Sequence, residues 1–196
     1  ILTLKNSPSL NKYNFKFENN KLILIQNNNE ILKINSKETA EFELLSNKIS
    51  ELESSLKQPI FLMKNNDVPF FDTSISNKTV LTHSISFINN KSIEDFKNKT
   101  NQTIETQRFR GNIYADGIEA WEERNWIGKI IKINNISFKV EKNIPRCVAI
   151  NLKPNSDDNS LNLLQSLKKT YNHFDMGIYL TALDDGLINI GDNILL

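Results

Sequence analysis

Ile130-Ile131-Lys132-Ile133-Asn134-Asn135-Ile136-Ser137-Phe138-Lys139-Val140 is two apolar runs joined by an Asn-Asn turn. Two strand-length runs separated by two turn-forming residues read as a β-hairpin, and this reading decides the fold class. The same pattern recurs on both sides. Downstream, Ile178 to Leu183 and Leu187 to Ile190 read as strands, with Asp185-Gly186 as the turn between them. Upstream, Tyr13, Phe15 and Phe17 alternate with polar residues, and Asn19-Asn20 turns the chain. Leu22 to Ile25 follows, Asn27 to Asn29 turns it again, and Ile31, Leu32 and Ile34 complete a meander. Ile85 and Phe87 mark a further strand, and Ile60 to Met63 another.

Two segments change period. Phe42, Leu45, Ile49, Leu52 and Leu56 step by three and four onto one helical face, and Pro59 is expected to end that helix. Leu161, Leu164 and Leu167 predict a second amphipathic helix. Ser92 is expected to cap a short one, with Asp95 three residues on. The polar, irregular stretch 64–82 reads as a domain boundary. Strands dominate, so the expected class is mostly β (α+β), a partly open barrel or sandwich with peripheral helices.

The chain of 196 residues balances 24 basic against 23 acidic residues, for a net charge of +1. No excess of either sign points to nucleic acid or an acidic membrane. No apolar stretch approaches the roughly 18 residues of a membrane span. One cysteine, Cys147, excludes an intrachain disulfide and any Cys-only zinc or iron–sulfur site. The expected compartment is reducing, hence cytoplasmic. The chain starts at Ile1 inside an apolar segment, so the expectation is that the true N-terminus lies further upstream.

Chemistry concentrates in two places. In Arg108-Phe109-Arg110-Gly111-Asn112, two arginines and an amide flank a glycine. On a strand, Arg108 and Arg110 project to one face and Phe109 to the other. Paired guanidinium groups suit phosphate or another oxyanion, and Gly111 lets a ligand approach the backbone. The competing reading is two surface arginines on an edge strand. The second place is Cys147, which follows Pro145-Arg146. A lone cysteine can be a small buried hydrophobe. An adjacent cation instead favours the thiolate that soft metals bind. His83 and His173 show no ligand spacing.

Taken in order, Arg108-Phe109-Arg110-Gly111-Asn112-Ile113, Asp116-Gly117, Trp126, Ile127-Gly128, Arg146-Cys147, Met176-Gly177-Ile178-Tyr179 and Gly191-Asp192 resemble the MOSC domain. This is the molybdenum cofactor sulfurase C-terminal domain, found also in amidoxime-reducing components and their bacterial relatives. The match spans roughly residues 70–196, and Leu2-Thr3-Leu4-Lys5 with Pro8 and Leu10 resembles part of the family's N-terminal β-barrel domain. The resemblance therefore implies a remnant of that smaller barrel over 1–68 and a MOSC-like β-barrel with peripheral helices over 69–196.

The resemblance also implies a site. Cys147 matches the cysteine that ligates molybdenum. Arg110 and Asn112 match residues that hold the pterin cofactor and its phosphate, with Arg108 and Arg146 beside them. Lys5 stands where the family has an arginine on the cofactor, and Asp72 and Ser92 match a neighbouring segment. Tyr179 matches the tyrosine of the F-G-x-Y strand. Three positions depart from the pattern: Gly111 replaces the proline after R-F-R, Ile144 replaces the first cysteine of C-x-R-C, and Asn151-Leu152-Lys153-Pro154 replaces T-x-D-P.

The implied activity is reduction of small N-hydroxylated substrates by a molybdenum-cofactor enzyme, with electrons from a separate donor protein. A second reading makes Cys147 a persulfide carrier in cofactor maturation, since some family members are fused to a pyridoxal-phosphate-dependent desulfurase. A third is a non-catalytic cofactor-binding homologue.

Overall fold

The computed structural model describes residues 7–56, 60 and 84–196. Lys5, Asp72, His83 and Pro59, with most of the expected strand after Pro59, lie outside them. The described residues fall into two compact units, one holding 7–56, 60 and Leu152–Leu161, the other 84–151 and 162–196.

The first unit is an antiparallel meander of β1 (Tyr13–Glu18), β2 (Lys21–Gln26) and β3 (Asn29–Asn35), followed by α1 (Thr39–Leu52). Both hairpins turn on asparagine pairs, Asn19-Asn20 and Asn27-Asn28, all at φ between 49° and 63°. Two consecutive positive-φ residues make the turn whose twist matches that of the strands. Asparagine tolerates this conformation because its short amide can bond locally. Across the described residues, Asn19, Asn20, Asn27, Asn28, Asn101, Asn134, Asn155 and Asn172 all take positive φ, so the asparagine-rich composition has a backbone role.

Tyr13, Leu24, Ile34, Leu45 and Ile49 form the core of this unit. The helix ends at Leu52, before Leu56 and well before Pro59. Glu53 leaves the helical path because its carboxylate is held by the Tyr13 hydroxyl at 2.7 Å and by Lys12 at 3.4 Å. Residues 152–161 join through Asn11, whose Nδ2 donates to the carbonyls of Lys153 and Ser156.

The second unit is a curled mixed sheet of β4 (Ile85–Asn89), β5 (Ile113–Ala115), β6 (Ile130–Ile133), β7 (Ile136–Pro145), β8 (Asp175–Ala182) and β9 (Ile194–Leu195). Its order is β5-β4-β8-β7-β6-β9, antiparallel except between β4 and β5. Phe87, Trp126, Ile131, Phe138, Val140, Ile178 and Leu180 form the core against one face. Helices α2 (Asn90–Thr100) and α3 (Leu163–Tyr171) bury Ile93, Phe96, Leu163 and Leu167. No helix among the described residues is long and apolar enough to cross a membrane.

Four local expectations are corrected here. Residues Thr106–Phe109 form a turn of 3-10 helix, not a strand, and Arg110 follows it in the left-handed region at φ 47°. Arg108 and Arg110 therefore do not share a strand face. Asn89, not Ser92, caps α2, its side chain accepting from the Lys91 amide. Residues 187–190 are not a strand. The outer edge of β6 is taken by Ile194–Leu195, and Leu187 and Ile190 stand exposed in a loop pinned by Asp184 on the Ser137 amide and Asp192 on the Asn189 amide. Lastly, α3 begins at Leu163 and buries Leu163 and Leu167, so Leu161 precedes it.

Ser92 is fully buried inside α2, where its hydroxyl donates to Glu123 at 2.9 Å and accepts from the Trp121 amide at 2.8 Å. Asn89 Nδ2 donates to the same carboxylate at 2.9 Å. Glu123 is fully buried, and burial raises its pKa above the usual 4.5, against the pull of those donors. A carboxyl whose folded pKa is raised favours folding most when protonated. Its contribution is full below pH 4.5 and is lost as pH rises through the folded value. We expect Glu123→Gln, which mimics the protonated acid, to flatten the stability curve between pH 4.5 and neutrality and to raise stability at pH 7. Urea unfolding at a series of pH values measures this, and a variant with the wild-type slope would count against it.

Candidate functional site

Hydrogen bonds from Arg110 and Arg146 draw the segments that carry Arg110, Cys147 and Tyr179 into one region of the second unit. Cys147 is exposed, on the loop between β7 and a turn of 3-10 helix at Val148–Asn151. That exposure removes the reading of Cys147 as a small buried hydrophobe. Arg110 reaches across to the same loop, its Nη1 donating to the Ala149 carbonyl at 2.7 Å and to the Arg108 carbonyl at 2.9 Å. Burial of the Arg110 guanidinium lowers its pKa, and the nearby Cys147 side chain acts in the opposite direction. Tyr179, half-buried on β8, has its pKa raised by burial, lowered by Arg146 and raised again by Cys147. Both side chains are thus within electrostatic reach of the thiol.

Arg146 is turned inward. Its Nε donates to the Met176 carbonyl at 2.8 Å, its Nη1 to the Phe109 carbonyl at 2.8 Å, and its Nη2 to the Met176 carbonyl as well. The guanidinium also lies over the Phe109 ring, 5.9 Å from its centre. Burial lowers its pKa to about 10, so it stays cationic at neutral pH. One side chain therefore ties together the segments that carry Arg110, Cys147 and Tyr179. Its donors are engaged with backbone rather than presented to a ligand.

Arg108 has a similar internal role. It is buried, with Nε on Glu105 at 2.6 Å and Nη1 on the Asn151 carbonyl at 2.5 Å. Asn112 accepts from the Ser86 amide at 3.0 Å and the Ser86 hydroxyl at 2.7 Å, joining the start of β5 to β4. Ser92 lies with Glu123, its hydroxyl committed there. Of the residues singled out from sequence, the structure brings Arg110, Cys147 and Tyr179 together, with Arg146 locked beneath them. Arg108 and Ser92 face the interior.

Two contributors escaped the sequence reading. Ser86 organises Asn112, and Tyr114 accepts from the Gly111 amide at 2.8 Å. The Gly111 contact accounts for a departure from the family pattern, because proline has no amide to donate. A side chain at 111 would also place Cβ 2.5 Å from Ile88 Cγ1, so packing rather than ligand approach requires glycine here. Tyr114, in the same short stretch as Arg110, was the legible signal.

Among the described residues no three His, Cys, Asp or Glu side chains gather as a metal site. Cys147 is thus a single soft donor, exposed, with a cation beside it. That donor set fits a soft metal arriving with its remaining ligands on an anionic organic carrier.

The second unit is a curled α+β sheet domain with an exposed thiol on the loop after β7 and the Arg110 guanidinium held on that same loop. The family model of the MOSC domain matches residues 72–195, and the chain belongs to the MOSC family, whose members are associated with molybdenum-cofactor binding. Among solved structures it is similar to YiiM from Geobacillus stearothermophilus, with 15% identity over 57% of this chain and 52% of that one, at a TM-score of 0.44. The chain thus spans about half the length of that protein. No curated protein matches it.

Proposed function

We propose that this chain is part of a molybdenum-cofactor oxidoreductase that reduces N-hydroxylated compounds, with Cys147 as the protein's ligand to the metal. The observation that carries the reading is the exposure of the Cys147 thiol beside Arg110 and Tyr179. When bound, the cofactor supplies two-electron chemistry, cleaving an N–O bond with two electrons and two protons and releasing water. This chain's residues hold and orient it. The Cys147 thiolate is a soft anchor, and Arg110 holds an anionic group of the cofactor. Asn112 fixes the β4–β5 edge, and Tyr179 offers a phenol at the thiol. The family resemblance also assigns Lys5 and Asp72 to cofactor contacts, and both lie outside the described residues. Domain limits of 1–68 and 69–196, a cytoplasmic setting and a separate electron-donor protein complete the reading.

Exposure of Cys147 also serves a persulfide carrier, the second reading, because sulfur transfer needs an accessible thiol. Metal and pterin analysis of the full-length protein, with anaerobic reduction of an aromatic amidoxime by a reduced dye, separates them. Molybdenum-dependent turnover supports the oxidoreductase. A metal-free protein whose Cys147 carries a persulfide would replace it with the carrier.

A further inference from the structure

Strands β4 and β5 run parallel and are joined by a crossover that contains α2 and the 3-10 turn at Thr106–Phe109. The crevice at the carboxyl ends of parallel strands is a common place for a small ligand. A cavity of about 420 Å³ lies in this crossover, large enough for a small organic molecule. Helix α2 lends it Asn90, Glu94 and Lys97, and the 3-10 turn lends Thr106 and Gln107. Tyr114 and Asp116, on β5 and just beyond its end, complete the lining.

Steps of four and three put Asn90, Glu94 and Lys97 on one face of α2. Along the helix axis Glu94 lies roughly 6 Å from Asn90, and Lys97 roughly 4.5 Å further on. Asn90 Nδ2 donates to Asp116 Oδ1 at 3.0 Å, which fixes that carboxylate at the first end of the row. A carboxylate offers about four lone-pair sites, so Asp116 keeps acceptor capacity for a ligand. Tyr114 is held by the Gly111 amide, which donates to its hydroxyl at 2.8 Å.

Glu94 and Lys97 are opposite charges three positions apart, a spacing at which helical side chains commonly pair. Here they stay apart. The ion pairs that α2 makes are Lys91 with Glu119 at 2.7 Å and Lys99 with Asp95 at 3.0 Å. Among the described residues the Glu94 carboxylate and the Lys97 ammonium take no ion-pair or hydrogen-bond partner, and both border the same cavity. Two carboxylates against one ammonium leave the lining with one net negative charge. The complement is a ligand with two cations and one anion, with the anion at one end.

We propose that this cavity binds a basic amino acid, L-arginine or L-lysine. Lys97 takes the α-carboxylate, Glu94 the α-ammonium, and Asp116 the cation at the end of the side chain. The order of charges along α2 matches the order along the ligand. The proposal goes beyond the function proposed above and does not depend on the cofactor.

Calorimetric titration of the full-length protein at low salt tests it, with L-arginine, L-lysine and L-norleucine as the probes. Norleucine keeps the carbon chain of lysine and lacks only its side-chain ammonium. Both basic amino acids should bind saturably at one per chain, and norleucine about tenfold more weakly than lysine. Glu94→Gln and Lys97→Met should each weaken L-arginine about tenfold, with Lys97→Gln in place of the methionine variant should that one fail to fold. Lys99→Met, on the part of α2 that meets Asp95, should stay within about twofold of the wild type. No saturable binding of either basic amino acid to the wild type up to about 10 mM overturns the proposal. So does norleucine bound as tightly as lysine, or wild-type affinity for L-arginine in either the Glu94 or the Lys97 variant.

Discussion

Cys147→Ser in the full-length protein should abolish reduction of N-hydroxylated compounds while leaving the fold intact. Because Cys147 is exposed, exchange of thiol for hydroxyl buries nothing new, and the change in stability should stay within about 0.5 kcal/mol. The functional effect is large because the two donors differ in kind. A thiolate is soft and forms near neutral pH, whereas a serine hydroxyl is hard and stays protonated. Activity must be referred to bound molybdenum, since losing the anchor also lowers occupancy. Turnover at the wild-type rate per molybdenum would remove Cys147 from the metal.

The second large effect is on stability. Arg146→Met should destabilise the second unit by about 3 kcal/mol. The loss follows from two carbonyls, Phe109 and Met176, left without the charged donors that now satisfy them at 2.8 Å. Methionine keeps much of the contact with the Phe109 ring, so the loss reports hydrogen bonding more than packing. Arg146→Lys should fall between, because an ammonium keeps the charge but cannot reach both carbonyls as a fork does. Trp121 and Trp126, the two tryptophans of the chain, both lie in this unit, so urea unfolding followed by their fluorescence reports on it directly. A loss under about 1 kcal/mol in Arg146→Met would contradict the clamp.

What sequence revealed, and what it hid, follows physical lines. The meander, the β6–β7 hairpin and β8 were legible because alternation and asparagine turns are local signals. The MOSC resemblance was legible because its short motifs keep their order. The conformation of residues 106–110 was not, since a 3-10 turn ending in a left-handed arginine is set by what Arg108 and Arg110 grip elsewhere, the carbonyls of Asn151 and Ala149. Residues 187–190 are apolar enough for a strand, but no sheet edge is left for them beside β6. Ser92 looked like a cap, and its burial beside Glu123 depends on a contact 31 positions away. The candidate site divides in the same way. The thiol and Arg110 could be named from motif, whereas the inward turn of Arg146 required the fold.

The central claim is that Cys147 is the protein's ligand to molybdenum. X-ray absorption at the molybdenum edge, on full-length wild-type protein and on Cys147→Ser with matched metal content, tests it most directly. The account predicts one fewer sulfur neighbour around molybdenum in the variant, with an oxygen or nitrogen in its place. An unchanged number of sulfur neighbours would contradict it.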